Sequence, residues 1–300
     1  MEFGKLADIS GVNWALPSDD PKNELRLVQP LHSNIFFGSP AWGCKFWMGK
    51  IYPAQTPAEK FLYHYSRHFN CIELNTTHYR IPDEQTTKEW QSQVPDNFQF
   101  CPKLHKDISH SKAGMTDKCL LRSWLAFMEN MEKNLGPAFI QFHERFSYFD
   151  KSHLFRFLEN WPSEFKLSIE LRHPSWFQQN TILPALGDYL QKRGIGLVIT
   201  DVAGRRDVLH SSFTTNWTMI RLIGNDLDES DGLRLVDWAE RLKNWQEKGI
   251  EKTYLFLHQP DDLWTIEFAQ MAERVFSQAG FTDIPSFELV PPRDLFNLGL

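Results

Sequence analysis

The chain has 300 residues, 42% of them hydrophobic, enough to bury the core of one barrel-sized domain or of two smaller ones. Its formal net charge of -6 argues against a surface coated with nucleic-acid-binding charge, although a local basic groove can persist in an acidic whole. No stretch has the uninterrupted apolar length that spans a bilayer, and residues 1–10 lack the basic start and apolar run of a secretion signal, so the expectation is a soluble, cytoplasmic protein.

Residues 1–34 mix Asp, Lys, Asn and Pro with few periodic apolar positions and read as an N-terminal extension, partly helical or mobile. From Ile35 onward, short β-branched or aromatic runs alternate with longer segments of helical period. The pattern predicts a strand at 35–39, a helix at 57–69, a strand at 71–75, a helix at 84–93 and a strand at 98–103. A helix at 120–134 and strands at 138–142 and 166–171 follow, then a helix at 181–193 and a strand at 197–201. Only a short helix fits between 201 and 218; beyond it come a strand at 218–222, a helix at 233–248, a strand at 254–258 and a helix at 263–278. Residues 281–300, with three prolines, are expected to close over the outside. Strands alternating with helices make a parallel sheet, and eight of them fit a (β/α)8 TIM-type barrel. The expected organisation is therefore α/β, a single barrel domain over residues 35–300 behind the extension.

Active sites of such barrels lie at the C-terminal ends of the strands, and the two-residue period of a strand sorts the candidates. Ser168, Glu170 and Arg172 share a face opposite Ile169 and Leu171; Cys71, Glu73 and Asn75 oppose Ile72 and Leu74; Gln99, Cys101 and Lys103 oppose Phe98 and Phe100. Gln141 ends the fourth strand, Asp201 the sixth and His258 the eighth, while Arg221 lies on the seventh. Glu73 or Glu170 is the candidate general base, with Asp201 as a further carboxylate. Lys103, Arg172 and Arg221 would hold phosphate or carboxylate, and Gly224 lets a ligand approach the backbone. Trp42, Trp47, Tyr52, Tyr79 and Trp176 stand in the adjoining loops, where rings stack on a sugar or a base. The plainer alternatives are that these rings pack loops onto the barrel and that the charges form an ion network plugging its end. Trp90, Trp124, Trp161 and Trp245 read as core.

The pool for a metal is Glu73, Glu170, His173, Asp201 and His258, opposed by three cations at the same rim. No His-Glu-x-x-His, paired-cysteine or calcium-loop motif supports it, and no Walker loop, dinucleotide fingerprint or Gly-x-Ser-x-Gly elbow occurs. No metal or organic cofactor is expected. Cys44, Cys71, Cys101 and Cys119 are scattered and read as reduced structural thiols.

Gly38-Ser39-Pro40-Ala41-Trp42, the run from Phe69 to Arg80, Phe98-Gln99-Phe100 with Lys103, and Glu170-Leu171-Arg172-His173-Pro174-Ser175-Trp176 together resemble the YecE-like family, domain of unknown function 72. The likeness runs from about Ile35 to His258 and implies a barrel similar in shape to xylose isomerase and endonuclease-type barrels. By position it implies Trp42, Glu73, Asn75, Thr77, Tyr79, Lys103, Gln141, Glu170, Arg172, His173, Trp176, Asp201, Arg221 and Gly224 as the motif residues. The chain departs from the family pattern at His78, at His143-Glu144 after Gln141, at Ile223 and at His258-Gln259.

The leading expectation is an enzyme that acts on a small anionic or sugar-containing substrate at the barrel mouth by general acid/base chemistry, whether hydrolase, lyase or isomerase. A nucleic-acid or nucleotide-binding barrel and a metal-dependent barrel hydrolase are the alternatives. No membrane partner is expected, and the oligomeric state is open.

Overall fold

Each apolar run assigned above to a strand overlaps a strand of the computed structural model, which describes residues 4–26 and 33–287. In chain order these are β1 (Asn34–Gly38), β2 (Cys71–Leu74), β3 (Gln99–Pro102), β4 (Ala138–Gln141), β5 (Leu167–Glu170), β6 (Phe177–Gln178), β7 (Thr181–Ile182), β8 (Gly196–Asp201), β9 (Trp217–Ile223) and β10 (Lys252–His258). The helices are α1 (Phe61–His68), α2 (Glu84–Gln93), α3 (Lys106–Ser109), α4 (Lys118–Asn130), α5 (Lys151–Glu159), α6 (Pro184–Lys192), α7 (Glu229–Lys248) and α8 (Thr265–Gln278). No helix among the described residues is long and apolar enough to cross a membrane.

The architecture is α/β. Six strands pair in parallel in the order β1-β10-β9-β8-β5-β4, and β2 with β3 forms a separate parallel pair. Two isolated backbone bonds span each border. Asn70 and Glu73 donate to Phe37 O (3.3 Å) and Ser39 O (3.1 Å); Gly136 and Leu104 donate to Phe100 O and Phe139 O (both 2.8 Å). The continuous ladder of a closed ring, expected for a (β/α)8 barrel, is not formed among the described residues. The strands at these borders are only four or five residues long, so few ladder positions exist there.

The strand period separates two faces. Ile140, Ile169, Ile199, Ile220, Leu222, Leu255 and Leu257 join the apolar faces of the helices in the main core. On the other face Cys71, Cys101, Phe139, Val198, Trp217, Met219, Tyr254 and Phe256 form a second apolar layer, with Phe36 against it. Glu73, Lys103, Glu170 and Arg221 sit on this second face. All four cysteines are free.

Two connections differ from expectation. Residues 177–182 form the β6–β7 hairpin, with Gln179 (φ 50) and Asn180 (φ 59) in the left-handed conformation of a two-residue turn. The helix expected from 181 therefore begins at Pro184, a residue suited to the first helical turn. Helix α5 was not anticipated, although Leu154, Phe157 and Leu158 give it a buried stripe and Ser147 and Asp150 form a capping box just before it.

Residues 4–26 lie as a strap across the β8 and β9 side. Arg206 donates to the carbonyls of Asn13 (3.1 Å), Trp14 (2.9 Å) and Ala15 (3.1 Å), and the Arg234 guanidinium lies 4.9 Å from the Trp14 ring. Further along, Arg241 holds Pro17 O (2.9 Å) and Asp19 (2.8 Å), ahead of a 3-10 turn at Pro21–Arg26. At the near end Gly204 N–H donates to Gly4 O (2.9 Å). A Cβ on Gly204 would stand 2.9 Å from that oxygen, and Gly4 has φ +72, so this close approach depends on both glycines. Of the segment expected to cover the outside, 281–287 packs on α8 through Phe287, whose N–H reaches Glu273 (2.9 Å); residues 288–300 lie outside the described residues.

Candidate functional site

Arg221, fully buried on β9, is the centre of an ion network that links both sheets. Its guanidinium grips Glu73 of β2 with two parallel bonds of 2.9 Å and reaches Glu170 of β5 at 3.1 Å. Each carboxylate has other donors. His258 Nε2 lies 2.8 Å from Glu73, and Asn75 donates to it at 2.9 Å. Arg172 Nε and Gln141 Nε2 donate to Glu170 at 2.6 and 2.7 Å. Gln141 in turn accepts from Lys103 Nζ at 2.9 Å. Strand register explains the assembly, because Gln141 lies directly opposite Glu170, and Glu73 opposite Cys101, two residues before Lys103.

The electrostatics of these groups differ sharply. Burial would raise the Glu73 carboxyl, but Arg221 and His258 outweigh it and hold Glu73 well below the usual range. Glu170 is likewise pushed up by burial and pulled down further by Arg172, Arg221 and Gln141, to about 2. Lys103 moves the other way. Burial and the neighbouring Arg221 lower its ammonium to about 8, despite the attraction of Glu73 and Glu170. Its one hydrogen-bond acceptor among the described residues is the neutral Gln141 amide. Two carboxylates thus face three cations.

Several expected site residues lie elsewhere. Asp201 shares the helix-facing side of β8 with Leu197 and Ile199, where it pairs with Arg206, accepts from Trp238 Nε1 (2.8 Å) and lies 3.5 Å from Arg234 Nε. It belongs to the anchorage of the strap rather than to the Arg221 network. Trp176 is fully buried, donates to Phe146 O (2.8 Å) and stacks on Phe146, so its ring is packing. Trp42 is half-buried edge-on against Trp90, and Trp47 and Tyr52 are fully buried. Tyr79 is exposed, with Lys106 Nζ 5.9 Å from its ring. His173 caps the turn at Ser175, 2.8 Å from its Oγ. A Cβ on Gly224 would meet the Gln259 side chain at 2.2 Å, so the close approach there is by protein.

A cavity of about 360 Å³ opens beside His258. Gly224, Asn225, Asp226, Gln259 and Asp262 line it from the loops after β9 and β10, and Gly4 to Ala7 with Ile9 line it from the strap. Asp262 escaped the sequence reading because it lies past the strand end, where the two-residue period no longer applies. A shallower depression holds His110 and His143, their rings 6.0 Å apart. Burial, then His143, Lys103 and Arg172, all lower the His110 imidazole. Among the described residues no group of three or more His, Cys, Asp or Glu side chains is arranged to hold a metal ion.

Residues 36–286 match the family described as "Protein of unknown function DUF72". The chain belongs to the DUF72 family. It is similar to the UPF0759 protein YecE of Escherichia coli strain K12, 31% identical over 246 residues that span 76% of this chain and 87% of that protein. The UPF0759 protein YunF of Bacillus subtilis strain 168 is 31% identical over 80 residues, 27% of each chain. Crystal structures of DUF72 proteins share the fold. One from Enterococcus faecalis V583 superposes with a TM-score of 0.67 at 19% identity, covering 87% of this chain and 100% of that one. Another, from Thermotoga maritima MSB8, gives 0.61 at 20% identity, over 82% and 99%. The DUF72 match starts at residue 36, so the strap that walls the cavity lies outside it.

Proposed function

We propose that this DUF72 chain is an enzyme that binds a small anionic or sugar-containing substrate at the C-terminal ends of its strands and transfers a proton on it. In this reading the β2–β3 pair completes a (β/α)8 barrel with the six-stranded sheet, one domain behind an N-terminal extension, and the Arg221 network forms the floor of its mouth.

The observation that carries the reading is Lys103. A buried ammonium beside Arg221, with only a neutral amide as acceptor among the described residues, is unfavourable for the fold, and an anionic ligand group is the counter-charge such a site lacks. Its lowered proton affinity, about 8, also suits a group that gives and takes protons near neutral pH. The carboxylates suit that task less well. Glu170 at about 2 is a weak base, so Glu73 and Glu170 act here as fixed counter-charges that orient Arg221 and Arg172. Gln141 aims Lys103, Asn75 and His258 steady Glu73, and Arg172 shares the anion.

The test is a pH titration of protein labelled with 13C-lysine, followed by NMR with and without inorganic phosphate. Lys103 is expected to titrate near 8 in the free chain and higher with phosphate bound. A Lys103 that titrates near 10.5 and ignores phosphate would remove the reading.

A further inference from the structure

The cavity beside His258 has two walls of different chemistry. One is apolar: Leu6, Ala7 and Ile9 of the strap with Val202, Ile223 and Pro260. The other carries Asn225, Asp226, His258, Gln259 and Asp262. Among the described lining residues, two carboxylates stand against one ammonium, that of Lys5, which makes it a poor place for an anion, in contrast to Lys103. Its volume of about 360 Å³ falls within the range of small-molecule sites.

Most polar groups of that wall are already engaged by protein. Gln259 bonds Asp226 N–H (2.9 Å) and Asp231 (3.1 Å), and Asn225 is held by Asp231. The Asp226 carboxylate is exposed, and the Asp262 carboxylate is the less solvated of the two. It is half-buried, it accepts no hydrogen bond and forms no ion pair among the described residues, and burial raises its proton affinity, opposed by His258. A partly desolvated carboxylate without a donor costs stability, and it stands in the same cavity as an imidazole whose Nε2 is taken by Glu73.

We propose that this cavity binds the uncharged, hydroxyl-bearing part of the ligand, a pentose or hexose ring, with the strap as its apolar wall and Asp262 as its hydroxyl acceptor. The inference rests on the reading of Lys103 as the anion site and assigns the rest of that substrate. A sugar ring matches both walls, since its C–H face packs on apolar side chains while its hydroxyl edge donates to carboxylate. The strap lies outside the DUF72 match, so the sugar preference is set partly by residues that the family match does not include. Its seating at Gly4 and Gly204 and the clamp of Arg206 on residues 13–15 keep that wall in position.

Saturation-transfer NMR of the full chain with a panel of neutral hexoses and pentoses tests the site. At least one sugar is expected to show transfer. Ala7→Trp, a change at an exposed position of the strap that fills the cavity, is expected to abolish it. Asp262→Asn, which keeps the size and removes the charge, is expected to weaken that sugar by about tenfold or more. Silence across the whole panel, or a signal undiminished in Ala7→Trp, overturns the inference. The lysine titration with phosphate reports separately. Sugar binding without a phosphate effect on Lys103 refutes the anion site alone, and a phosphate effect without sugar binding refutes the sugar site alone.

Discussion

Lys103 and Glu170 lie in the same network with opposite energetic signs. Burial lowers the Lys103 ammonium from 10.5 to about 8. Between these values the folded chain has released a proton that the unfolded chain retains, so this residue makes stability rise with pH there. Lys103→Met is therefore expected to stabilise the protein at neutral pH by about 1–3 kcal/mol, read from urea or thermal unfolding; destabilisation would mean that the amine is well paired. Glu170→Gln is expected to cost about 3–5 kcal/mol, because Arg172 and Arg221 stay buried after losing a counter-charge. The strand period set Glu73, Lys103 and Glu170 opposite the apolar positions of their own strands, and placed Arg221 on its strand without a face. It gave no face for Asp201 because β8 runs through Leu197-Val198-Ile199, apolar at successive positions. A strand covered on both sides shows no polar alternation from which to read its inner face. Trp176 failed differently, since a loop tryptophan looks the same in sequence whether it covers Phe146 or awaits a ligand.

At the scale of elements, the strap and β8 depend on each other. Asp201 at the end of β8 pairs with Arg206, and Arg206 holds three consecutive carbonyls of the strap. Arg206→Ala is expected to speed amide hydrogen exchange across residues 4–15 while protection of β8, β9 and β10 persists. Equal loss of protection in the strands would show that the strap is part of the global fold rather than a layer upon it. The sparse apolar content of the first 34 residues pointed to an extension but hid its anchorage, which comes from arginines about two hundred positions away. Helix α5 was legible in its capping box and in the spacing of Leu154, Phe157 and Leu158. The β6–β7 hairpin was not, because nothing between Gln178 and Thr181 is a glycine and the turn relies on Gln179 and Asn180 taking positive φ.

Across the whole molecule, the Arg221 network ties β2, β4, β5, β9 and β10 together through side chains. Glu170 is lowered from 4.5 to about 2 and Glu73 also lies well below 4.5. A depressed carboxylate contributes stability that is complete above 4.5 and is lost as pH falls through the folded value. Far-UV circular dichroism is expected to report one cooperative acid transition between about 4.5 and 2, shifted to higher pH in Glu170→Gln, and a gradual loss without a common midpoint would contradict a single network. The order and approximate place of the strands were legible because each is a short β-branched or aromatic run between helical periods. How they meet at the β1–β2 and β3–β4 borders was not, since isolated backbone bonds leave no mark in side-chain pattern. The second apolar layer, from Cys71 and Cys101 to Trp217 and Tyr254, is at most 4% exposed and closes the network off from the opposite ends of the strands. In the proposed reading substrate and product would then share one doorway beside the strap, so turnover would be paced by departure as much as by arrival.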